Sequence, residues 1–225
     1  RGIEDFLRTT FPPSNPFFHG ILDRLFQERD RLFKGPYVSV KLPLRQGTLN
    51  RDWFEAFLMD HIPYLHQEKT FKRLGGEEGK STIISTGTGS GKTECFLYPI
   101  LDYCYRHRGE PGIKAIIIYP MNALANDQAK RIAGLVEKHE NLKGNLTAGL
   151  FVGQEPADKF KGMVMGPDTV ITHKDTLRRS PPDILLTNYK MLDYLLIRPL
   201  DFPLWKDNGP ESLKYLVVDE LHTFD

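Results

Sequence analysis

The sequence predicts a doubly wound α/β domain in which a mainly parallel, twisted sheet is flanked by helices. Short, continuous apolar runs alternate with helical stretches from about residue 62 onward, and one of the intervening turns is rich in glycine. Strands buried on both faces have such continuous runs, and helical connections between them imply parallel pairing. Residues 1–61 lack this alternation. We therefore expect an accessory helical segment at 1–61 and the main domain at 62–225.

The accessory segment and its junction are predicted from prolines and apolar periodicity. Prolines break residues 11–20 into an extended stretch, whereas residues 21–33 place apolar side chains near one helical face. Residues 51–74 have the pattern of two helices divided at Pro63, and a glycine pair ends the second.

Five apolar runs in the main domain are predicted strands. They are, in order, STIIST, IKAIIIYP, LTAGLFVG, DILLT and LKYLVVDE. Helical patterns follow the first, second and fourth runs, and a polar, irregular stretch follows the third. Repeated strand–helix units of this kind indicate one sheet with helices on both faces.

The composition excludes several classes of protein. The 225 residues are 40% hydrophobic and 26% charged, and the net charge of +1 gives no global basic field. No apolar run approaches the roughly 20 residues that span a bilayer, and the first residues lack the apolar core of a signal peptide. Cys95 and Cys104 lie in one predicted helix without zinc spacing, so we expect reduced thiols and a cytoplasmic protein.

The glycine-rich turn TGTGSGKT, residues 86–93, is typical of a phosphate-binding P-loop. Its glycines let backbone N–H groups surround phosphates, and the N-terminus of the following helix adds positive potential. Lys92 would reach the β- and γ-phosphates, and the Thr93 hydroxyl would bind Mg²⁺. The alternative is an ordinary strand–helix turn. We predict ATP and Mg²⁺ as cofactors, held by Thr86, Gly87, Thr88, Gly89, Ser90, Gly91, Lys92 and Thr93.

An acid pair ends the last predicted strand. In LKYLVVDELHTFD, the apolar run leads directly to Asp219 and Glu220. A P-loop needs an acid on a neighbouring strand to hold Mg²⁺ and to position water. Asp219 is therefore the predicted Mg²⁺ ligand beside Thr93, and Glu220 would polarise the attacking water. Lys92, Asp219 and Glu220 are the predicted catalytic residues; the alternative is only the polar end of a strand.

These motifs together resemble those of superfamily 2 DExH/DEAD-box helicases, in particular the first RecA-like lobe. VVDELH resembles the DExH box, IIYPMNALANDQ motif Ia, DILLTNYKMLDYLL motif Ib and YLHQEKTF the Q motif, in the order that the family has. The resemblance implies that Gln67 contacts adenine and that His222 couples nucleotide state to movement. It also implies a set of nucleic-acid contacts: Pro120, Asn122, Ala123, Gln128, Thr187 and Asn188.

Within the superfamily, the sequence most resembles YprA-like DNA helicases and the helicases of DISARM-type phage-defence systems. YPMNALANDQAKRI, PPDILLTNYKMLDYLLIRP and VVDELHTFD show this resemblance, and LFKGPYVSVKLPL resembles the segment before the Q motif. It implies ATP-driven 3′-to-5′ translocation on DNA by two RecA-like lobes, with other defence or repair subunits as partners. Met121-Asn122 replace the Thr-Arg of many relatives, which removes a cationic phosphate contact.

The chain is shorter than the motor that the resemblance implies. It begins without Met and stops six residues after Asp219, so we expect a longer parent protein with a coupling motif and a second lobe. An arginine finger on that lobe would accelerate hydrolysis about 10³- to 10⁵-fold. The chain alone should therefore turn over ATP poorly.

Three alternative functions remain open at this point. The first is the motor subunit of a restriction-type system, which shares the P-loop and the acid box. The second is a non-catalytic module that binds nucleic acid, although the intact Lys92, Thr93, Asp219 and Glu220 argue against it. The third is a P-loop ATPase that acts on protein, which would not need segments like motifs Ia and Ib.

Overall fold

The computed structural model of the chain describes residues 2–27, 43–76, 79–87, 89–153 and 161–224. By compactness the chain divides into two units, Arg1–Pro43 and Leu44–Asp225. The functional boundary predicted after residue 61 stays a prediction. In the described ranges, no helix is long and apolar enough to cross a membrane.

The first unit is helical in its described part. It contains α1 (Gly2–Thr10), a 3-10 helix (Pro16–Phe18) and α2 (Ile21–Gln27). The Asn15 side chain caps the 3-10 helix by accepting a hydrogen bond from the Phe17 N–H at 3.0 Å. The predicted helix over 21–33 therefore begins as expected. Its later residues, and LFKGPYVSVKLPL up to residue 42, lie outside the described part.

A parallel four-stranded sheet forms the centre of the second unit and confirms the predicted fold class. The strands lie in the order β2-β3-β1-β4, and each neighbouring pair is parallel. Helices connect them along the chain, as parallel pairing requires. Their bounds are β1 (Ala115–Tyr119), β2 (Ala148–Phe151), β3 (Ile184–Asn188) and β4 (Tyr215–Val218).

Helices cover both faces of this sheet. On β1, Ala115, Ile117 and Tyr119 pack in one apolar cluster with residues of α3, α4 and α5, whereas Ile116 and Ile118 pack in a second cluster with residues of α6 and α7. A strand covered on both faces must be apolar at every position, which explains the continuous run AIIIY. The helices are α3 (Leu65–Leu74), α4 (Lys92–Arg106), α5 (Asn122–Lys138), α6 (Lys174–Arg179) and α7 (Tyr189–Ile197), with 3-10 helices at Lys161–Met163, Pro199–Trp205 and Leu221–Thr223.

The first of the two helices predicted within residues 51–74 is wrong. Residues 51–63 are irregular, and the Ala56 N–H donates to the carboxylate of Asp102, on α4, at 3.0 Å and not to a carbonyl within a helix of its own. Phe54 and Phe57 stack at 5.3 Å between ring centroids and lie in the core with residues of α3 and α4. Burial of these rings outweighs the local helical pattern.

The first predicted strand, STIIST, is also absent. Residues 81–86 lie in no strand, and Ile83 is 83% exposed. The Arg73 side chain on α3 donates instead to the Ser81 carbonyl and to the Thr82 hydroxyl. With only two large apolar residues, this run buries too little surface to order it on the sheet. The four other predicted strands are confirmed.

Candidate nucleotide and nucleic-acid site

The glycine-rich turn adopts a conformation that only its glycines tolerate well. Gly89 and Gly91 have φ angles of 74° and 76°, which favour glycine over any residue with a side chain. The Thr86 and Ser90 hydroxyls lie 2.6 Å apart in a hydrogen bond across the turn, and α4 begins directly afterwards at Lys92. Thr88 lies outside the described residues. The turn therefore opens onto a helix N-terminus, as a phosphate-binding loop requires.

Lys92 closes the turn from the helix side. Its ammonium group donates to the Thr86 carbonyl at 2.9 Å and to the Gly87 carbonyl at 3.4 Å. A side-chain carbon added at Gly87 or Gly89 would meet no atom within 4 Å, so open space adjoins the loop. A cationic group beside an open glycine turn fits a bound phosphate chain.

Gln67 fixes the turn from α3. Its side chain is 1% exposed; the amide nitrogen donates to the Gly91 carbonyl at 3.1 Å, and the amide oxygen accepts from the Tyr64 N–H at 2.9 Å. His66 was not among the predicted site residues, yet its ring Nε2 lies 2.9 Å from the Ser90 carbonyl. Its place beside Gln67 in the same motif was the available signal. The adenine contact of Gln67 stays a prediction.

The acid pair lies at the carboxyl end of β4. The Asp219 N–H donates to the Ile118 carbonyl at 3.0 Å, which extends the β1–β4 pairing to the first acid. Burial raises the pKa of Asp219, and the neighbouring Lys92 charge opposes that rise. Asp219 is therefore a partly buried carboxyl at the end of β4, and its place in one site with Lys92 stays a prediction.

Glu220 differs from Asp219 in backbone conformation and in the surroundings of its carboxylate. It has a φ of 51°, which is uncommon for a residue with a side chain, and its N–H donates to the Asp219 carboxylate at 3.0 Å. Its own carboxylate is 44% exposed and lies 3.4 Å from the His222 ring. The turn therefore places the two acids in separate environments, with Asp219 half-buried and Glu220 at the surface.

The available ligands fit a magnesium ion that is bound mainly by phosphate. In the described part of the chain, no group of three or more His, Cys, Asp or Glu residues could hold a metal ion by itself. Magnesium commonly takes one or two carboxylates together with substrate phosphates and water. Thr93 and Asp219 would be a ligand set of that type, and their role as Mg²⁺ ligands stays a prediction. A dedicated metal cage is not needed.

The candidate nucleic-acid segments meet at the same edge of the sheet. Asn122 begins α5, and Asn188 ends β3 and caps α7 by accepting from the Met191 N–H at 2.8 Å. The Asn188 amide nitrogen donates to the Asn122 side-chain oxygen at 2.7 Å. The two segments are thus joined by a direct hydrogen bond, which could not be predicted from the sequence.

The other four predicted nucleic-acid contacts differ in how exposed their side chains are. Ala123 is exposed and Pro120 is partly exposed, so both can meet a ligand. Thr187 is fully buried, and its hydroxyl donates to the Phe151 carbonyl at 2.8 Å. The side-chain oxygen of Gln128 is buried as well. Thr187 and Gln128 therefore support the edge from within, and their predicted contacts with nucleic acid stay predictions.

The fold and this site define a class of protein, the P-loop nucleotide-binding proteins with an acid pair at the carboxyl end of a parallel strand. The sequence profile of one family in this class, the DEAD/DEAH box helicases, matches residues 64–225. Because the match covers well over half of the sequence, the chain belongs to the DEAD/DEAH box helicase family. The predicted membership of superfamily 2 is confirmed.

Individual relatives agree with this assignment. Druantia protein DruE of Escherichia coli (strain UMEA 4076-1) is 27% identical, in a match that covers 84% of this chain and 15% of that protein. The uncharacterized ATP-dependent helicase MJ1574 of Methanocaldococcus jannaschii is 28% identical over 86% of this chain and 27% of its own. The uncharacterized ATP-dependent helicase YprA of Bacillus subtilis is 27% identical over 72% and 18%.

A solved structure shares the fold. The Mycobacterium smegmatis helicase Lhr, bound to single-stranded DNA and AMP-PNP, is 26% identical, with a TM-score of 0.52. The match covers 80% of this chain and 21% of that protein. Across these relatives, the chain spans from 15% to 27% of their length.

Proposed function

We propose that the chain is the first ATP-binding lobe of a helicase or translocase that couples ATP hydrolysis to movement on nucleic acid, expected to be DNA. The observation that carries the proposal is the juxtaposition of two features at the carboxyl edge of the sheet. These are Asp219 directly after β4 and the hydrogen-bonded pair of Asn122 and Asn188, at the start of α5 and the end of β3. Ligands of open α/β sheets bind outside the carboxyl ends of the strands, and the glycine turn with Lys92 would bind the phosphates of such a ligand.

Different residues of the chain have different roles at the nucleotide. The backbone N–H groups of the glycine turn and the Lys92 ammonium bind phosphate oxygens. Thr93 and Asp219 would hold Mg²⁺, which would neutralise charge on the phosphates. Glu220 orients and polarises the attacking water. His222, whose ring lies 3.4 Å from the Glu220 carboxylate, would sense that carboxylate and so report nucleotide state.

The nucleic-acid contacts lie beside this site. Backbone amides at the start of α5 and the Asn122 side chain bind a phosphate, with Pro120 and Ala123 beside them. Asn188 orients Asn122, and the buried Thr187 holds the end of β3 beneath Asn188. The Lhr structure, which contains single-stranded DNA and AMP-PNP, supports a nucleic-acid site on a lobe of this fold.

The rest of the motor lies on other parts of a longer protein. The relatives are several times longer than this chain, which supports a second RecA-like lobe in the parent protein. That lobe would supply an arginine finger and the contacts that turn hydrolysis into movement. We place the protein in the cytoplasm, in antiviral defence or DNA repair, with other subunits of such a system as partners.

The ATPase rate of the full-length protein tests this proposal. It would be measured without nucleic acid and with single-stranded DNA, duplex DNA and RNA, for the wild type and for Lys92→Ala. We expect stimulation by DNA in the wild type and loss of the rate in Lys92→Ala, because a P-loop without its lysine loses the charge that binds the β- and γ-phosphates.

The outcomes separate the alternatives. No stimulation by any nucleic acid would overturn the helicase assignment and favour an ATPase that acts on protein. Equal rates in the wild type and Lys92→Ala would overturn the P-loop assignment. DNA binding without any ATP hydrolysis would favour a non-catalytic module. A nuclease domain in the same assembly would favour the restriction-type motor.

A further inference from the structure

A second polar cluster lies behind the glycine turn, between α4 and α5. Glu94, in the first turn of α4, accepts a hydrogen bond and ion pair from the Arg131 guanidinium on α5. The Glu94 side chain is 15% exposed and that of Arg131 is 40% exposed. This pair therefore joins the helix that follows the phosphate-binding turn to the helix that begins at Asn122.

Glu94 also lies against the turn itself. A side-chain carbon at Gly91 would be 3.2 Å from the second Glu94 carboxylate oxygen and 2.5 Å from the Gln67 amide nitrogen. Gln67 and Glu94 thus flank Gly91, the last residue before α4. Any movement of the Glu94 side chain changes the space in which the Gly91 turn sits.

Near the Glu94–Arg131 pair there are buried polar groups that make no hydrogen bond. In the described part of the chain, three buried side-chain oxygens make no hydrogen bond: Glu94 Oε2, Tyr119 Oη and Gln128 Oε1. Tyr119 ends β1 beside Asp219, and Gln128 lies on α5. Burial raises the pKa of Tyr119; the Asp219 charge adds to the rise and the Arg131 charge opposes it. Buried polar groups without partners cost free energy, so each one calls for an explanation.

We propose that Arg131 is a positioning residue for the nucleotide site, because its ion pair with Glu94 holds the Gly91 turn in its phosphate-binding shape. The proposal rests on the proposed function, since it assigns a role within the same ATP site. It also gives α5 a direct mechanical connection to the phosphate-binding turn. Binding of nucleic acid at the start of α5 can then reach the nucleotide through Arg131.

Steady-state ATPase kinetics of the full-length protein with saturating single-stranded DNA test this role. The variants are Arg131→Ala, Arg131→Lys and Glu94→Gln, with Lys138→Ala as the matched control. Lys138 lies at the other end of α5 and pairs with the exposed Asp60, away from the turn. Thermal unfolding of each variant reports any general loss of stability.

We expect Arg131→Ala and Glu94→Gln each to raise KM for ATP by about fivefold or more, which is the low end of usual coupling between sites. The unfolding temperatures should stay close to that of Lys138→Ala. Arg131→Lys should recover most of the affinity, because a single guanidinium nitrogen makes the contact. The double variant Glu94→Gln/Arg131→Ala should be no worse than either single variant, since both remove the same pair.

The results that would overturn the positioning role of Arg131 differ from those that would overturn the proposed function. If the wild type hydrolyses ATP in a Lys92-dependent way but neither Arg131→Ala nor Glu94→Gln changes KM, the positioning role is overturned and the ATPase assignment stands. If Arg131→Ala does not fold, Glu94→Gln decides alone, since it keeps the side-chain shape. Absence of Lys92-dependent hydrolysis in the wild type would instead overturn the proposed function.

Discussion

At the residue level, both the backbone conformation and the packing of a neighbouring side chain favour glycine at position 91. Its φ of 76° disfavours any side chain, and Gln67 leaves no room for one. Gly89 has nearly the same φ, 74°, but a side-chain carbon there would meet no atom within 4 Å. Comparing substitutions at the two glycines therefore separates the effect of backbone strain from the effect of a steric clash.

Gly91→Ala is expected to weaken nucleotide binding and stability more than Gly89→Ala. Both substitutions strain a left-handed backbone, at a cost of about 1 kcal/mol, but only Gly91→Ala adds a clash with Gln67. The added loss should be partly recovered in Gly91→Ala/Gln67→Ala. Urea unfolding and equilibrium binding of a fluorescent ATP analogue measure both effects. Equal losses in the two glycine variants would show that Gln67 does not pack on the turn.

Local sequence motifs explain how much of the candidate site could be predicted from the sequence. The glycine turn and the acid pair are local motifs, so their positions could be predicted from a few consecutive residues. Contacts between distant residues could not: Asn122 and Asn188 are 66 positions apart, and Glu94 and Arg131 are 37 apart. No local rule predicts such pairs, because they depend on how the helices pack on the sheet.

At the element level, the joined ends of α5 and β3 form the candidate nucleic-acid edge. Asn122→Ala and Asn188→Ala should each weaken binding of single-stranded DNA, measured by fluorescence anisotropy. Asn188→Ala should lower the free energy of unfolding more than Asn122→Ala, by about 1 kcal/mol, because it also removes the cap of α7.

Asn126→Ala is the control for this pair of variants. Asn126 is an exposed asparagine on α5, one turn beyond Asn122. Its replacement should leave both affinity and stability near the wild-type values. Unchanged DNA affinity in Asn122→Ala and Asn188→Ala would remove this edge from the proposed nucleic-acid path.

A buried ion-pair network joins α6 to the 3-10 helix Pro199–Trp205 that follows α7. Asp201 is fully buried and accepts from Arg178 at 2.8 Å and from Arg198 at 2.7 Å. Asp201→Ala leaves these guanidinium groups without their shared carboxylate, so it should destabilise the chain by about 3 kcal/mol in urea unfolding. Asp175→Ala, which removes the exposed partner of Arg178, should have little effect. Equal losses would contradict a structural role for the Asp201 network.

Strands and helices also show where sequence patterns mislead. The four apolar runs that contain at least three large apolar residues became strands, whereas STIIST, with two, did not. The helical pattern of residues 51–62 was overridden by burial of Phe54 and Phe57 against α3 and α4. Tertiary burial decided both cases, and a local pattern does not contain that information.

At the level of the whole molecule, the chain has the parts that bind nucleotide but spans only a part of its relatives. We expect the isolated chain to hydrolyse ATP at least about 10³-fold more slowly than the full-length protein, because an arginine finger would be missing. Single-turnover hydrolysis by both proteins measures this ratio. Equal rates would show that the chain needs no second lobe.

The central claim is that the glycine turn and the β4 acids form one magnesium–nucleotide site. Titration of a fluorescent ATP analogue into the full-length protein, with and without Mg²⁺, tests it most directly in the wild type, Lys92→Ala and Asp219→Asn. We predict Mg²⁺-dependent binding that weakens at least about tenfold in Lys92→Ala, or 1.4 kcal/mol, and that loses its Mg²⁺ dependence in Asp219→Asn. Wild-type affinity in Lys92→Ala, together with unchanged Mg²⁺ dependence in Asp219→Asn, would contradict the claim.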